Sequence, residues 1–432
     1  MSEKIKNFAS LATTPERKSA LLIAEAGLQA IDTSKIIREA VTLDKSVLKI
    51  LNKEFPLAEL GKIVIIGIGK CSLRATEVLE DVLGDRISDG VTIDVKPETE
   101  SRLKKIRYFR GTHPFPSDKN IEASKQLVQI LSGLKENDLV IAIVSGGGST
   151  LLCLPEQGDC SKEKKLLGLL FEAGADIQEI NTIRKHLSLA RGGFLAKYAF
   201  PSSLVALIFS DVPGGNPAFI SSGPTMQDVT TVEDAMAITA KYNISQTCDI
   251  LNCGLIETPK DKKYFAKVSN LLAVSNELAL DAMAEKAREL GFQPEIFPTG
   301  LSGEARVAGE TIADKIHAAP SHSMFLYGGE TVVKVDHKGR GGRNGELALS
   351  ALQFVKDDEL IMTIASDGRD NGDYTGAIAD TITKEKATKA GLDIENHLRN
   401  HDPDPFFEKT GDYLLSGDTG SNVSDLLIAI KR

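Results

Sequence analysis

Apolar and polar positions change rhythm several times along this chain. From Ala20 to about Phe55, "ALLIAEAGLQAI" and "SVLKILNKEF" repeat apolar residues at three- and four-residue steps, and that spacing predicts helix. The run "KIVIIGIG" at 62–69 is continuously apolar and stops at glycines, as expected of a strand covered on both faces of a parallel sheet. Helical spacing returns in "KCSLRATEVLEDVLG", and the alternation continues through "GVTIDVK" (90–96), "KIRYFRGTHP", "NIEASKQLVQIL" and "DLVIAIVSGGGSTLLCLP" (138–155). "SSLVALIFSDVPGG" and "LLAVSNELALDAMAEKAREL" extend it. Strands alternating with helices predict an α/β fold with a largely parallel sheet.

A second regime starts near Ser321. "SMFLYGGETVVKVDHKGRGG" reads as two strands joined at "GGE" and followed by a glycine-rich loop; "LIMTIASDGRD" is a further strand ending in an acidic loop. The expected organisation is an N-terminal lobe over 1–240, a connecting α/β segment over 241–320 and a smaller α/β C-terminal lobe over 321–432. Within the connector, 246–264 is the least patterned stretch. A length of 432 residues exceeds one ordinary core and agrees with more than one domain.

A net charge of -9 argues against a nucleic-acid footprint, although a local basic cluster can still hold an anion. The five cysteines lack C-x-x-C spacing and are expected to be reduced thiols, not a zinc site or a disulfide framework. No apolar run approaches the roughly 20 residues of a membrane span, and the N-terminus has no signal-peptide pattern. A cytoplasmic protein is expected; a homodimer is left open.

Candidate chemistry gathers where strands are expected to end, the edge at which open α/β sheets bind ligands. In "VSGGGST", Gly146, Gly147 and Gly148 lie between Ser145 and Ser149 and can turn several amides toward one anion, more than a plain turn requires. "GIGKCS" sets Lys70 at a helix start, where the dipole opposes a cation and a ligand phosphate would welcome it. In "GRGGRNGELALSAL", Gly341, Gly342, Arg343 and Asn344 open a helix, with Asn344 as a candidate cap and the amides and guanidinium suited to an anion. "NTIRKHLSLARGG" carries Arg184, Lys185, His186 and Arg191; Lys185 and Arg191 read best as a solvated basic helix end. Asp211, Glu330 and Asp367 are strand-end acids of the kind that hold Mg²⁺ beside phosphate. Together these features suit phosphoryl transfer, in which positioning and charge neutralisation dominate.

"GIGK", "THPFPSDKN", "VSGGGSTLL", "NTIRKHLSLARGG", "SDVPGGNPAFISSGPT", "GGE", "GRGGRNGELAL", "SDGRDNGD" and "GDTGSNVSDLLI", in that order, resemble the class II glycerate kinases. The resemblance implies a Rossmann-like N-terminal lobe and a C-terminal lobe of the type called MOFRL. It further implies ATP-dependent phosphorylation of D-glycerate, usually on the 2-hydroxyl, in a cleft between the lobes. The catalytic lysine of its G-x-G-K motif falls on Lys70, and the catalytic arginine of R-G-G-R-N falls on Arg343. Phosphate or substrate contacts fall on Ser145 to Ser149, Arg184, Gly341, Gly342 and Asn344. The chain departs from the family pattern at Gly215, where a second carboxylate is common, and at Asp418, where proline is common. Two other readings compete: a hydroxypyruvate reductase, and a non-catalytic sugar-acid-binding protein. The reductase would need the third glycine of G-x-G-x-x-G, a position held here by Ser72.

Overall fold

Strand β1 (Ile63–Ile68) is buried at every position and lies between β2 (Ile87–Asp94) and β4 (Leu139–Ser145), parallel to both. In this computed structural model, which describes residues 3–157, 160–212, 218–244, 254–335 and 339–432, that trio is the middle of a six-stranded sheet. Adding β3 (Arg107–Arg110), β5 (Ser203–Phe209) and β6 (Val268–Val274) gives the order β3-β2-β1-β4-β5-β6. The order reverses between β1 and β4, so two neighbouring strands send their following segments opposite ways and leave a crevice at their carboxyl ends. Continuous Val/Ile/Leu runs form these strands because both faces are covered.

The chain divides into two units, one formed by Thr33–Ser210 and Asn216–Ala273 and the other by Met1–Asp32, Asp211–Gly215 and Val274–Arg432. This grouping differs from the expected boundaries at 240 and 320. Residues 1–32 and 274–320 belong with the C-terminal part, because helix Pro15–Ala30 packs on helix Asn276–Glu289 with Gly27 set against Met283. Such a pairing joins segments some 250 residues apart and leaves no local trace.

The second unit's sheet is mixed. It runs β7 (Gln293–Leu301), β8 (Ser323–Gly329), β12 (Asp425–Lys431), β9 (Glu359–Ala365), β10 (Gly376–Asp380) and β11 (Tyr413–Leu414) in spatial order. Only β7 and β8 pair in parallel; the other neighbours are antiparallel. Helices Ala305–Ala318 and Arg343–Phe354 cover one face, with Ile312, Ile316, Leu347 and Leu352 in its core.

Three local expectations need correction. "SVLKILNKEF" is not helical: Val47–Ile50 and Lys53–Pro56 are strands of a small antiparallel sheet with Val41–Leu43. Its short apolar run fits either period, and alternate burial at Leu48 and Ile50 reveals the strand. "ETVVKV" does not form a second strand after "GGE": Val332 makes one bridge to Glu304, and Val332 and Val335 are exposed, with no layer over them. Cys153 and Cys160 are joined by a disulfide, contrary to the expectation of reduced thiols, whereas Cys71 is a buried thiol outside any disulfide. Their seven-residue separation says nothing until the fold brings the Cα atoms to 6.8 Å. Cys248 and Cys253 lie outside the described residues.

One buried charge cluster ties the N-terminal helix into the mixed-sheet unit. Arg17 is fully buried; its Nε and Nη2 reach Asp380 at 2.7 Å each, and Nη1 reaches Asp412 at 2.6 Å. Removing the guanidinium would leave the buried Asp380 without a cation and Asp412 with Lys386 alone, at 2.7 Å. Arg17→Ala is therefore expected to lower the unfolding free energy by about 3–5 kcal/mol. Urea denaturation checks this, and a loss under about 1 kcal/mol would show that the carboxylates find other partners.

Candidate active site

The crevice between β1 and β4 is closed at its floor by backbone. Gly69 follows β1 with φ +112, and a Cβ there would fall 2.2 Å from Ser145 Oγ and 2.5 Å from Ser145 O. No other residue fits that approach. The Lys70 amide donates to Gly146 O at 3.0 Å, so the two strand-end loops are stitched together. Ser145 is buried and donates to Ile68 O at 3.2 Å; Ser221 donates to Ser145 O at 2.7 Å. Gly148 is enclosed by Ser221 and Ile68. Ser145, Gly146 and Gly148, expected at a ligand, are thus largely structural parts of the cradle.

Gly147 and Ser149 are more open. Gly147 is left-handed at φ +81, and a Cβ on it would meet the Lys70 side chain at 3.2 Å and His113 Cδ2 at 3.6 Å. Lys70 and His113 therefore flank the same loop residue. Ser149 accepts from Ser222 at 2.9 Å, and Ser222 also donates to Asn181 Oδ1 at 3.1 Å. The short turn Gly148–Leu151 starts here, and its first amides have no intrahelical acceptor.

Partners separate the basic residues after this loop. Lys185 meets Asp228 at 2.9 Å, Arg191 meets Glu163 at 2.9 Å, and His186 bonds Ile256 O at 2.8 Å, all in the interior. Lys185 and Arg191 are structural, but they are buried in these ion pairs and do not form the solvated helix end expected of them. Arg184 differs: among the described residues it makes no ion pair, and its buried Nε has no hydrogen-bond partner. Burial, and then Arg191, lower its pKa to about 10. Lys70 likewise makes no ion pair among the described residues. His113, overlooked although it stands in "THPFPSDKN", is lowered to about 4 by desolvation first and by Lys70 and Arg184 after it. The Gly147 loop thus faces Lys70, a cation without an ion-pair partner, and a neutral imidazole on which the charge of Arg184 also acts.

In the mixed-sheet unit, Arg343 is the first residue of helix Arg343–Phe354, and Gly342, not Asn344, is its cap. The amides of Asn344 and Gly345 donate to Asp370 at 3.1 and 2.7 Å, so the helix start already holds a carboxylate. Asn344 is buried, and its side chain also donates to Asp370, at 3.3 Å. The Gly341–Gly342 pair lies against Pro403 and Asp370. The Asn344 amide expected for a ligand is therefore occupied by the chain's own acid, which "SDGRDNGD" supplied without disclosing its target.

The guanidinium of Arg343 is held from two sides. Nε and Nη2 reach Asp425 at 2.5 and 3.2 Å, and Nη1 reaches Glu330 at 2.5 Å. Burial opposes its charge, but Asp425 and then Glu330 outweigh that and raise the pKa. Asp425 is buried and Glu330 is half exposed, so one edge of the fork is fixed and the other faces a displaceable partner. Glu330, Val332, Arg343, Asp370 and His401 help to line a cavity of about 480 Å³. Burial pushes Asp425 up to about 6; burial, followed by the charge of Asp425, pushes Asp370 up to about 7. Arg340, by contrast, pairs with Glu408 at the surface.

The three acids expected at a metal are employed separately. Glu330 faces Arg343, Asp367 accepts its own loop's Arg369 amide at 3.0 Å, and Asp211 accepts from Asn422 at 3.5 Å while its carbonyl accepts from Ser424. Among the described residues, no three His, Cys, Asp or Glu side chains form a group that could hold a metal ion. Gly215 lies outside the described residues.

A parallel sheet with anion-holding loops at its switch point, joined in one chain to a mixed sheet bearing an arginine fork, defines a two-unit α/β protein built to handle a small anion. Residues 19–251 match the family described as Domain of unknown function (DUF4147), and residues 323–425 match the MOFRL family. The glycerate 2-kinase of Pyrococcus horikoshii is 37% identical over 427 residues, covering 95% of this chain and 96% of its own. The D-glycerate 2-kinase of Thermotoga maritima is 35% identical over 412 residues, covering 93% and 97%. A crystal structure of a glycerate kinase from Thermotoga maritima superposes with a TM-score of 0.83 at 32% identity, covering 96% of this chain and 99% of that one. The chain belongs to the glycerate 2-kinase family.

Two expectations test the arginine site. Asp425→Asn removes the charge fixing one edge of the fork; a charged hydrogen bond of about 1.5–3 kcal/mol corresponds to a roughly 10- to 100-fold loss of turnover. Stability should change little, since burial already disfavours that charge. Unchanged turnover in a folded variant would remove Asp425 from the account. The second expectation follows from Asp370, whose folded pKa of about 7 lies above the roughly 3.9 of an unfolded aspartate. Between these values the folded state holds the extra proton, so this group makes stability fall as pH rises from about 4 to 7. Melting curves across that window should show a drop that shrinks in Asp370→Asn; an equal drop in the variant would place its source elsewhere.

Proposed function

We propose that this protein transfers the γ-phosphoryl group of ATP to the 2-hydroxyl of D-glycerate, giving 2-phosphoglycerate and ADP. The single observation that carries the reading is the pair of cations without ion-pair partners, Lys70 beside Gly147 and Arg184 near enough for its charge to act on His113, in a chain whose full-length relatives are glycerate 2-kinases. Glycerate and the triphosphate are both anions, and cations without protein partners are what such ligands complete. Phosphoryl transfer asks the protein mainly for orientation and charge neutralisation. In this reading Lys70 and Arg184 bind anionic groups of the substrates, while Ser149 and the Gly147 turn orient them. Arg343, fixed along one edge by Asp425, neutralises the transferring phosphoryl group with the edge that Glu330 vacates.

Mg²⁺ enters as the ion carried on the nucleotide's phosphates, where it neutralises charge with few protein ligands. Glu330, the half-exposed acid, is the one of the three that would meet it; Asp211 and Asp367 have less to offer, the first accepting from Asn422 and the second from an amide of its own loop. No helix of the described residues is long and apolar enough to cross a membrane. A cytoplasmic enzyme acting on small molecules completes the proposal.

Relatives from Agrobacterium vitis are provisionally named hydroxypyruvate reductases, which keeps a nicotinamide reading in play. The first loop disfavours it. Ser72 replaces the third glycine and donates to Ile93 O at 2.9 Å. Asp94, at the end of β2 where dinucleotide folds place the ribose-binding acid, is buried and accepts the Leu73 amide at 3.0 Å.

Incubation with ATP, Mg²⁺ and D-glycerate should yield 2-phosphoglycerate, whereas NADH with hydroxypyruvate should be left unchanged. Formation of the 3-phosphate alone would sink the regiochemistry, and NADH oxidation without ADP release would favour the reductase. Arg343→Lys keeps the charge but loses the planar fork, so turnover should fall by roughly 10³-fold, the scale of an arginine finger. Near-normal turnover in that variant would dismiss Arg343 from the chemistry.

A further inference from the structure

Nothing in the proposed set of cations accepts a proton. Lysine and arginine are donors only, and Ser149, Ser222 and Asn181 hydrogen-bond one another. The acceptor hydroxyl of glycerate must nevertheless lose its proton as its oxygen bonds to phosphorus. His113, beside this loop, is a side chain that can receive it.

Its placement is built in. Asn120 is fully buried and its Oδ1 accepts from the Thr112 amide at 2.9 Å and from the Ser117 hydroxyl at 3.2 Å. Its Nδ2 donates to Thr112 O and to Thr150 O, both at 3.1 Å. On the other side of His113, Thr150 Oγ1 donates to Pro114 O at 3.3 Å. Both neighbours of His113 are thereby tied to the turn that carries Gly147. The ring itself has no hydrogen-bond partner among the described residues, although Lys70 and Gly147 lie beside it. A network that fixes the flanking backbone and leaves the imidazole unbonded suits a group waiting for a ligand.

We propose that His113 is a catalytic residue that takes the proton of the glycerate 2-hydroxyl as phosphoryl transfer proceeds. The hydroxyl O–H bond breaks and its proton moves to an imidazole nitrogen. The oxygen forms its bond to the γ-phosphorus, the bond from that phosphorus to the β,γ-bridging oxygen breaks, and ADP leaves. The imidazolium then releases the proton to solvent. Desolvation first, and then the positive charges of Lys70 and Arg184, hold the ring neutral at working pH, and the negative charge of bound substrates would offset those two cations as the proton arrives. They also explain the choice of hydroxyl. A carboxylate held by Arg184 or Lys70 presents the 2-hydroxyl from the adjacent carbon, one carbon nearer than the 3-hydroxyl. This inference rests on the kinase reading above.

The test is steady-state kinetics of the full chain with ATP, Mg²⁺ and D-glycerate for wild type, His113→Ala and His113→Asn, with melting curves alongside. General-base loss predicts a fall in kcat of about 10²-fold or more with little change in KM for either substrate. Added imidazole should restore part of the His113→Ala rate, a response that a structural histidine would not give. Near-wild-type kcat, a loss confined to KM, or a loss in kcat that imidazole leaves untouched would each overturn the base role. If His113→Ala does not fold, His113→Asn decides by kcat alone: retained turnover overturns the proposal and a 10²-fold loss at unchanged KM supports it. A wild-type protein that makes no ADP with glycerate overturns the kinase reading, and this inference with it; activity with an indifferent His113 variant overturns this inference alone.

Discussion

The contact of Gly69 with Ser145 is the constraint on which the parallel-sheet unit depends. Two neighbouring strands, β1 and β4, end at the same level, and their loops touch backbone to backbone at a spacing that admits no Cβ. That approach lets the Lys70 amide reach Gly146 O and brings the Lys70 side chain alongside Gly147. A methyl group at position 69 would force the loops apart and move the cation away from the turn it serves. The reversal of strand order makes the crevice, and glycine makes it narrow enough to hold two loops as one surface.

Charge pairing then divides support from chemistry. Arg17, Lys185 and Arg191 are buried with carboxylates and belong to the architecture. Lys70 and Arg184 are given no such carboxylate among the described residues, although an uncompensated cation in a partly buried site is unfavourable without a ligand. Arg343 falls between the two cases: its buried partner sets direction, and its half-exposed partner can be exchanged. The same logic places Asp370. A helix start that looks open to an external anion is closed by an internal one, and the protein presents a side-chain fork there in place of bare amides.

Much of the fold was legible because its causes are local. The strands of the parallel sheet are continuous apolar runs ending at glycines, and helices such as Asp118–Leu131 carry their capping box and apolar spacing in the residues themselves. The region at 47–56 misled because four apolar residues satisfy both periods, and "ETVVKV" misled because strand-forming residues need a neighbouring strand and a covering layer to form one. The grouping of the N-terminal helix is silent in the sequence for a related reason: helix Pro15–Ala30 looks the same whichever unit it joins, and only its packing on Asn276–Glu289 assigns it.

By itself, then, the sequence determined the α/β class, the glycine-rich loops at strand ends, the ordered motifs of the glycerate 2-kinase family, and the candidacy of Lys70, Arg184 and Arg343, since each depends on residue type and short spacing. Only the tertiary structure decided which cations have partners and which lack them. Asp425 reaches Arg343 across 82 positions, Asp370 reaches Asn344 across 26, and His113 reaches the Gly147 loop from a different strand end. Pairing is a property of distance in space, and a chain read in order carries no measure of it.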